Sequence, residues 1–401
     1  MRKRYVVVAL LTALSVVGAA CQKKTATSGS GSAKPGYKIG LMGALTGANA
    51  QLVVGQVKGA NLAISQANAK GDLPVTLSLD PQDTVGDKDN AVRLAPKLAS
   101  DDKDIAVIGP AFSGESFSAG PILQQAGLPQ ITPSATNPGL DQQGWKAWFR
   151  AVGNDNSQGG PAPEVAEKIL KGKKVFVAND NSAYGAGLAG IVRDGLNARF
   201  PGSLAGFEAV DPGKDDYSDL AGKIVSSKAD VFFWGGYSPE AAKIITQARA
   251  KGFTGTYLGA DGSKDSTFLQ NAAANGEGAY FLCPCADVTT VNDPAATKFV
   301  ADYKSATGQD PIIYSAEGYD AANLIIEAIR KAGKPGSDIA AYRRQIAANL
   351  HATDGFTGTT KTYAFQPNGE LVDAAVIIYL YKVQGGKFVL AGKVNDLLKN
   401  A

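Results

Sequence analysis

Histidine is almost absent from this chain, because His351 is its one example among 401 residues. A Ser-His-Asp triad needs a histidine as its base, and histidine is a principal ligand of catalytic zinc. A single histidine therefore disfavours both kinds of site in this chain. Catalysis by carboxylates alone would need paired acids beside a nucleophile at neighbouring strand ends, and no such pairing is present. The composition argues against an enzyme, and we predict no cofactor and no metal site.

Cysteine is also scarce, with three residues at Cys21, Cys283 and Cys285. Three cysteines are too few for a disulfide framework, and they lack the partners of a zinc site. An exported chain could form a disulfide between Cys283 and Cys285, which are separated by Pro284 alone, but two buried thiols would fit the sequence equally well. The pattern assigns them no chemistry.

Long apolar runs are lacking apart from residues 5–20, which follow the basic residues Arg2, Lys3 and Arg4. This run of about 16 residues is shorter than the roughly 20 that a membrane-spanning helix needs. Basic residues, a short apolar core and small residues before a cysteine are typical of a secretion signal. We therefore expect residues 1–20 to be a signal peptide.

The residues around Cys21 carry a second signal. The segment Val17-Gly18-Ala19-Ala20-Cys21 resembles the lipobox of bacterial lipoproteins, in which the cysteine is lipidated. That family usually has leucine where Gly18 stands, so cleavage by ordinary signal peptidase is the alternative. Residues 21–36 are small and polar and predict a flexible tether. The interpretation is an exported protein, in the periplasm or on the outer face of the envelope, anchored through Cys21.

Acidic residues are absent from the first 36 positions, which hold six lysines and arginines. The remainder, from Tyr37 onward, therefore has 34 basic against 37 acidic residues, and the formal net charge of +3 belongs to the leader. A slightly acidic body offers no basic footprint for phosphates, so nucleic acid is not an expected partner.

From Tyr37 to Ala401, short apolar runs alternate with helical periods. Residues 38–42 and 75–79 read as strands around a helix that ends at Gly71, and the rhythm continues through residue 132 with a further helix predicted after Ser116. A second series starts near Gly159 with a helix predicted to Leu170, and the chain ends in β-structure. Such alternation predicts an α/β fold of two doubly wound lobes, each with a parallel sheet between helices.

Ligands of open α/β sheets collect at the carboxyl ends of the strands. Two such ends in the first half are rich in hydroxyls: residues 109–116 contain Ser113 and open a helix, and residues 132–138 contain Ser134 and Thr136. The free N–H groups and dipole of a helix start suit a carboxylate, although a capping serine is the plainer interpretation of Ser113.

In the second half of the chain, aromatic residues and one carboxylate follow the predicted strands. Tyr184 lies in residues 179–185, Tyr237 in residues 234–240 and Asp261 in residues 258–262. A carboxylate held between small residues at a strand end can pair with an ammonium group, although turns also favour aspartate. Hydroxyls on one side and a carboxylate on the other favour a zwitterionic ligand.

These motifs, in this order and spacing, resemble the branched-chain amino acid binding proteins of ABC importers. The resemblance runs from Tyr37 to about Leu390, and its motifs are Ile39-Gly40 through Gly47, Ile108-Gly109, Pro133-Ser134-Ala135-Thr136-Asn137-Pro138, Asp180 through Gly185, Gly235-Gly236-Tyr237-Ser238-Pro239-Glu240 and Gly259-Ala260-Asp261-Gly262. It implies the type I periplasmic binding protein fold, in which three crossovers join two lobes that close on the ligand. The crossovers are expected near residues 152–154, 284–287 and 375–378. Lobe 1 would comprise residues 37–153 and 286–375, and lobe 2 residues 154–285 and 376–401.

The resemblance also implies a set of ligand-binding residues. Those of the first lobe would hold the α-carboxylate, and they are Ser113, Ser134, Ala135 and Thr136. Those of the second lobe would close over the ligand, and they are Tyr184, Tyr237 and Asp261. Asp261 would bind the α-ammonium where leucine-type binders carry glutamate, while Leu52 replaces an aromatic residue and Phe112 stands where a cysteine can occur.

We therefore expect a monomeric solute-binding component that delivers a small amino acid, most simply a branched-chain one, to a membrane permease. Two alternatives stay open. One is a binding protein of the same fold for an amide, urea, an aromatic acid or a short peptide, and the other is a ligand-sensing protein.

Overall fold

The computed structural model describes residues 34–291 and 293–401. The predicted signal peptide, Cys21 and most of the predicted tether lie outside the described residues. The predicted end of the tether at residue 36 is one residue late, because Gly36 already belongs to the first strand.

Strands and helices alternate along the described chain. In chain order the strands β1 to β14 span Gly36–Gly43, Thr76–Asp83, Asp104–Ile108, Gln130–Thr132, Trp148–Arg150, Val175–Asn179, Leu204–Ala209, Val231–Gly235, Thr256–Gly259, Tyr280–Cys283, Phe356–Thr357, Thr362–Tyr363, Tyr379–Gln384 and Lys387–Lys393. The α-helices α1 to α13 span Gln51–Lys70, Lys88–Ser100, Ser113–Gln125, Asp155–Gly159, Ala162–Glu164, Ala183–Arg199, Ser218–Ser226, Ser238–Ala250, Ser266–Ala272, Pro294–Thr307, Ser315–Ala332, Ile339–His351 and Val394–Lys399.

Two large sheets organise most of these elements, and β11 and β12 form a separate two-stranded antiparallel sheet. The first has five strands in the order β2-β1-β3-β4-β5, and all its neighbours are parallel. The second has seven strands in the order β14-β13-β10-β9-β8-β6-β7. Every residue of β3 and β8 is buried, as expected for strands covered by helices on both faces. The predicted alternation of strand and helix thus produces parallel sheets.

The end of the chain adds a feature that the parallel prediction lacked. Strand β13 pairs with β10 in the antiparallel direction, and β14 pairs with β13 in the same way. A tight turn at Gly385 and Gly386, both with positive φ, joins β13 to β14 and requires the antiparallel arrangement. The second sheet is therefore mixed at this edge.

Helix bounds follow local sequence signals in most places. Helix α1 ends where Gly71 adopts a left-handed conformation, as the periodic pattern predicted. Helix α3 begins at Ser113 rather than after Ser116. The single helix predicted over residues 159–170 is broken into α4, α5 and a π-helical segment Val165–Ile169, because Pro163 has no N–H to donate.

Helices α1 and α11 pack at very short range. A Cβ at Gly59 would lie 2.2 Å from the carbonyl oxygen of Ser315, and a Cβ at Gly318 would lie 2.4 Å from Cα of Gln56. Only glycine permits this approach of two backbones. The contact fixes the start of α1 against the start of α11, and both starts border the cavity described below.

The segments between the two sheets meet at Gly153. A Cβ there would lie 2.9 Å from Cγ1 of Val376 and 3.3 Å from Cβ of Pro284. Three chain segments that run between the sheets thus touch at one point. Pro284 lies inside a disulfide that joins the buried residues Cys283 and Cys285, so the structure realises the disulfide alternative.

None of the helices among the described residues is both long and apolar enough to traverse a membrane.

Candidate functional site

A small cavity lies where the loops after the strands of the two sheets face each other. Its free volume is about 20 Å³, on the scale of one or two water molecules. Its lining residues are Leu52, Ala111, Phe112, Ser113, Ser134, Tyr184, Tyr237, Asp261, Gly262 and Tyr314.

Asp261 is the buried carboxylate of this cavity. It follows β9 at the start of the short 3-10 helix Asp261–Ser263, and it is 2% exposed. Its Oδ1 accepts hydrogen bonds of 2.7 Å from Nε2 of Gln158 and from the Tyr184 hydroxyl, and its Oδ2 accepts one from the Tyr314 hydroxyl. Burial raises the pKa of Asp261, and the three donors together with the backbone N–H of Gly262 oppose that rise. Oδ2 accepts its one hydrogen bond of good geometry among the described residues from Tyr314, so it can accept a further donor.

A second buried carboxyl group adjoins Asp261. Nε2 of Gln158 donates to Oδ1 of Asp155 at 2.7 Å as well as to Asp261. Burial raises the pKa of Asp155 to about 7, and the charge of Asp261 adds to the rise. Oδ2 of Asp155 accepts no hydrogen bond of good geometry within the described chain. Because two carboxyl groups share one amide donor, this end of the site has more hydrogen-bond acceptors than donors.

No basic side chain neutralises this pair at close range among the described residues. Arg150 lowers the pKa of Asp155 through its charge, but its guanidinium is engaged elsewhere. It pairs with Glu370, with Nε to Oε1 at 3.0 Å, and is itself fully buried. The site therefore has an excess of acidic groups over cationic partners.

The hydroxyl loops form the opposite wall. Ser113 begins α3, and its Oγ accepts a hydrogen bond of 3.2 Å from the backbone N–H of Asn137. The Ser134 hydroxyl donates to the carbonyl of Ala111 at 2.7 Å and accepts from Nε2 of Gln56 at 2.9 Å. The positive end of the α3 dipole lies at this wall, which suits an anionic group.

Arg150 holds the second hydroxyl loop in place. Its Nη1 donates to the carbonyl of Ala135 at 2.8 Å and to that of Asn137 at 3.0 Å. These bonds fix the backbone on both sides of Thr136. The Thr136 carbonyl accepts from the N–H of Asp155 at 2.9 Å, so the loop is also tied to the second carboxyl group.

Aromatic rings close the remaining sides. The ring centroid of Tyr237 lies 5.4 Å from that of Phe112 and 5.2 Å from that of Tyr184. Burial raises the pKa of Tyr184, Tyr237 and Tyr314 well above the usual value. These phenols therefore stay protonated, and Tyr184 and Tyr314 act as hydrogen-bond donors toward Asp261.

Five of the seven residues expected at the ligand lie together in the cavity lining, namely Ser113, Ser134, Tyr184, Tyr237 and Asp261. The structure places Ala135 and Thr136 on the adjoining loop outside the lining. Both are buried, and the Thr136 hydroxyl lies near the Asp155 carboxyl, whose pKa it lowers, without a full hydrogen bond. The ligand contacts of all seven residues stay predictions.

Three residues of the site were missed from the sequence. Tyr314 precedes α11 in a left-handed conformation with φ of 61°, and it follows no strand. Asp155 and Gln158 lie on α4, between the crossover predicted at residues 152–154 and the helix predicted from Gly159. The unbroken polar run Asn154-Asp155-Asn156-Ser157-Gln158 is the sequence signal that could have found them.

One other group of acids could in principle hold a metal. Asp80, Asp101 and Asp104 approach one another on the first sheet, but the ammonium of Lys38 lies among them, 2.5 Å from Asp80 and 2.8 Å from Asp101. A lysine already supplies the positive charge there.

Comparison with known proteins provides an independent line of evidence. A model of the family described as periplasmic binding protein matches residues 36–387. An amino acid binding protein of Pseudomonas aeruginosa is 35% identical over 225 residues, which cover 56% of this chain and 60% of that protein, less than two thirds of it. The Leu/Ile/Val-binding protein of Escherichia coli K12 is 30% identical over 275 residues, or 68% of this chain and 73% of that protein.

A solved structure agrees with the sequence comparison. The branched-chain amino acid transporter substrate binding protein of Streptococcus pneumoniae, solved in complex with isoleucine, has a TM-score of 0.80 and 28% identity. The match covers 89% of this chain and 99% of that one. This likeness confirms the predicted α/β fold with parallel-strand sheets.

Proposed function

The chain belongs to the periplasmic binding protein family, and on that basis we propose that it is the extracytoplasmic solute-binding component of an ABC importer for a small amino acid. The ligand class we favour is branched-chain. Its relative in Escherichia coli is a Leu/Ile/Val-binding protein, and its structural neighbour from Streptococcus pneumoniae was solved with isoleucine.

The observation that carries the proposal is the acidic pair without a cationic partner. Asp261 and Asp155 are both buried and share the amide of Gln158. An α-ammonium group would take the free lone pair of Asp261 and supply the missing positive charge. Charge-assisted hydrogen bonds of this kind are about twice as strong as neutral ones.

The hydroxyl wall suits the other end of the same ligand. An α-carboxylate would accept hydrogen bonds at the start of α3, beside Ser113, and along the loop of Ser134, Ala135 and Thr136. Leu52 and Phe112 offer apolar surface beside Tyr237 and Tyr314 for a short side chain. With a free volume of about 20 Å³, the cavity would have to open to admit an amino acid.

The mechanism we propose is closure of two lobes on the ligand. Lobe 1 would comprise residues 37–153 and 286–375, and lobe 2 residues 154–285 and 376–401, with Gly153 at their hinge. In support, the lining residues come from both sheets, and Nδ2 of Asn137 donates to the carbonyl of Ala183 across the cleft at 2.6 Å. Ligand binding would select the closed population from an open and closed equilibrium.

The cellular setting is part of the proposal. Periplasmic binding proteins are exported, and we propose that Cys21 is lipidated and that residues 21–36 tether the folded part to the membrane. Cleavage by ordinary signal peptidase would leave a freely diffusing protein. We further propose that the protein acts as a monomer, presents the closed form to its permease and catalyses no reaction.

Thermal unfolding of the purified protein against a ligand panel tests the function. A ligand present at about 100 times its Kd should stabilise the fold by about 2.7 kcal/mol. We expect stabilisation by leucine, isoleucine or valine, and none by 4-methylpentanamide, an uncharged analogue that lacks the ammonium group. Stabilisation by an amide, urea, benzoate or a dipeptide, with no response to the amino acids, would contradict the proposal.

The substitution Asp261→Asn sharpens the test. Removal of the charge should weaken amino acid binding by about 1.5–3 kcal/mol, or roughly 10- to 150-fold in Kd. Asp354→Asn, at an exposed position far from the cavity lining, is the matched control and should bind as the wild type does. Equal affinities for the two variants would remove Asp261 from the site.

A further inference from the structure

A second and larger cavity is lined by chain neighbours of the residues that line the first. Its free volume is about 250 Å³, a little below the roughly 300–1,000 Å³ found for sites of drug-sized ligands. Gln51 precedes Leu52 at the start of α1, Lys264 lies three residues after Asp261, and Ile313 precedes Tyr314. The two cavities therefore use the same short segments but share no lining residue.

Lys264 is the unusual member of this lining. The residue is 6% exposed, yet within the described ranges its ammonium has neither a hydrogen bond nor an ion pair. Its Nζ lies 4.0 Å from the ring centroid of Tyr381 and 5.1 Å from that of Phe388. Burial lowers the pKa of Lys264 to about 8, so the side chain is still charged at neutral pH.

A buried cation held by aromatic rings alone keeps all three of its N–H donors for another acceptor. Ring faces attract the charge but accept no conventional hydrogen bond. The acids with an electrostatic effect on Lys264 are Asp287, Glu317, Asp265 and Asp261, in falling order. None of them lies within ion-pair distance of its ammonium, so the donors lack an acceptor among the described residues.

The remaining lining restricts the kind of acceptor. Apolar surface comes from Leu269, Ile312, Ile313 and Phe388. Asp265 and Asp287 supply negative charge, and Lys387 supplies a second positive charge at an exposed position. A dianion such as phosphate would meet repulsion from the two acids. A monoanion with an apolar body would place its charge at Lys264 and its body on the aliphatic side chains.

We propose that this cavity is a second ligand site, which binds a small monocarboxylate with an aliphatic or aromatic body through the ammonium of Lys264. The site is distinct from the amino acid site, because it offers a cation where the first offers Asp261. It needs no ligand in the first cavity.

Isothermal titration calorimetry with sodium hexanoate tests this site, in the presence of saturating isoleucine so that the first cavity is filled. Hexanoate should bind, and hexanamide, which has the same body without charge, should bind at least tenfold more weakly. Absence of hexanoate binding, equal binding of hexanamide, or competition between hexanoate and isoleucine would each overturn the proposal.

Variants separate this site from the first. Lys264→Met should weaken hexanoate binding at least tenfold, and Ile312→Glu, at an exposed position of the lining, should weaken it by repulsion without disturbing the core. Lys382→Met is the matched control, since that lysine also lies over a tyrosine ring, 5.4 Å from Tyr280, but outside the cavity. Unchanged affinity in Lys264→Met would refute the site.

The same titration of Asp261→Asn keeps the two proposals apart. Asp261→Asn should weaken isoleucine binding and leave hexanoate binding unchanged. Lys264→Met should weaken hexanoate binding and leave isoleucine binding unchanged. If the wild type binds no amino acid but still binds hexanoate, the proposed function fails and the second site stands.

Discussion

Asp155 and Asp261 form a coupled acidic pair whose protonation depends on what lies beside it. Burial raises the pKa of both, and the charge of Asp261 adds to the rise for Asp155, which reaches about 7. Since these values exceed those of the unfolded chain, the folded state holds extra protons. The stability that they contribute is present below about pH 4 and is lost as pH rises through 7.

An ammonium ligand would reverse this preference, because a positive charge favours the ionised acids. We therefore expect isoleucine to bind more tightly as pH rises from 5.5 to 8, with proton release in the lower half of that range. For one proton the slope is at most tenfold per pH unit below the pKa. Calorimetry in buffers of different ionisation enthalpy measures both the affinity and the released protons.

Asp155→Asn should flatten this pH dependence while leaving Asp261 in place, and Asp354→Asn should retain it. The groups that face Asp155 are Asp261, Gln158, Thr136 and Arg150, and Asp261 is the other carboxyl group among them. An Asp155→Asn variant with the wild-type pH slope would show that Asp155 is not the titrating group.

At the same scale, the sequence predicted those site residues that follow a strand. Ser113, Ser134, Tyr184, Tyr237 and Asp261 all lie in loops where parallel strands end, and the fold brings such loops together. Tyr314, Asp155 and Gln158 could not be found this way, because they reach the site from the segments between the sheets. Arg150 was missed because its role is to hold the backbone around Thr136.

At the scale of the elements, helices α1 and α11 contact each other through glycines, and they position Leu52 and Tyr314 of the cavity lining. A Cβ at Gly59 would lie 2.2 Å from the Ser315 carbonyl oxygen and 2.8 Å from the N of Tyr319. The backbone atoms it meets cannot yield as a flexible side chain could. The spacing of Leu52 and Tyr314 across the cavity depends on this contact.

Gly59→Ala should therefore lower the free energy of unfolding by about 1–3 kcal/mol, the usual cost of overpacking, and weaken isoleucine binding as well. Gly190→Ala is the matched control inside α6, where a Cβ meets nothing within 4 Å. That change should raise stability by up to about 1 kcal/mol through helix propensity. Urea unfolding of both variants measures the change in the free energy of unfolding. Equal changes in the two variants would contradict the packing argument.

The sequence predicted elements well where periodicity and an end signal agreed, as in α1 with its terminal Gly71. It failed for residues 159–170, where one helix was predicted but Gly160, Pro161 and Pro163 divide it. The alternating pattern of β13 and β14 predicted strands, but a strand's sequence does not state the direction of its partner. The antiparallel edge therefore appeared only in the structure.

For the whole molecule, contacts across the cleft describe a closed arrangement. Asn137 bonds to the carbonyl of Ala183, the ring of Phe112 lies against Tyr237, and the Tyr314 hydroxyl donates to Asp261. Ligand binding by closure requires that the molecule can also open. The opening motion would be absorbed where the chain passes between the sheets, at the contact of Gly153 with Pro284 and Val376.

Crowding at that contact should shift the balance of the two forms without touching the ligand. In Gly153→Ala the new Cβ would lie 2.9 Å from Val376, which disfavours the closed arrangement by about 1–3 kcal/mol. A ligand that binds the closed form alone then loses affinity by the same amount, roughly 5- to 150-fold. Calorimetry measures the affinity, and small-angle scattering with and without isoleucine measures the compaction, which should persist at saturation. A Gly153→Ala variant with wild-type affinity, alongside a weakened Asn137→Ala variant, would place the hinge elsewhere.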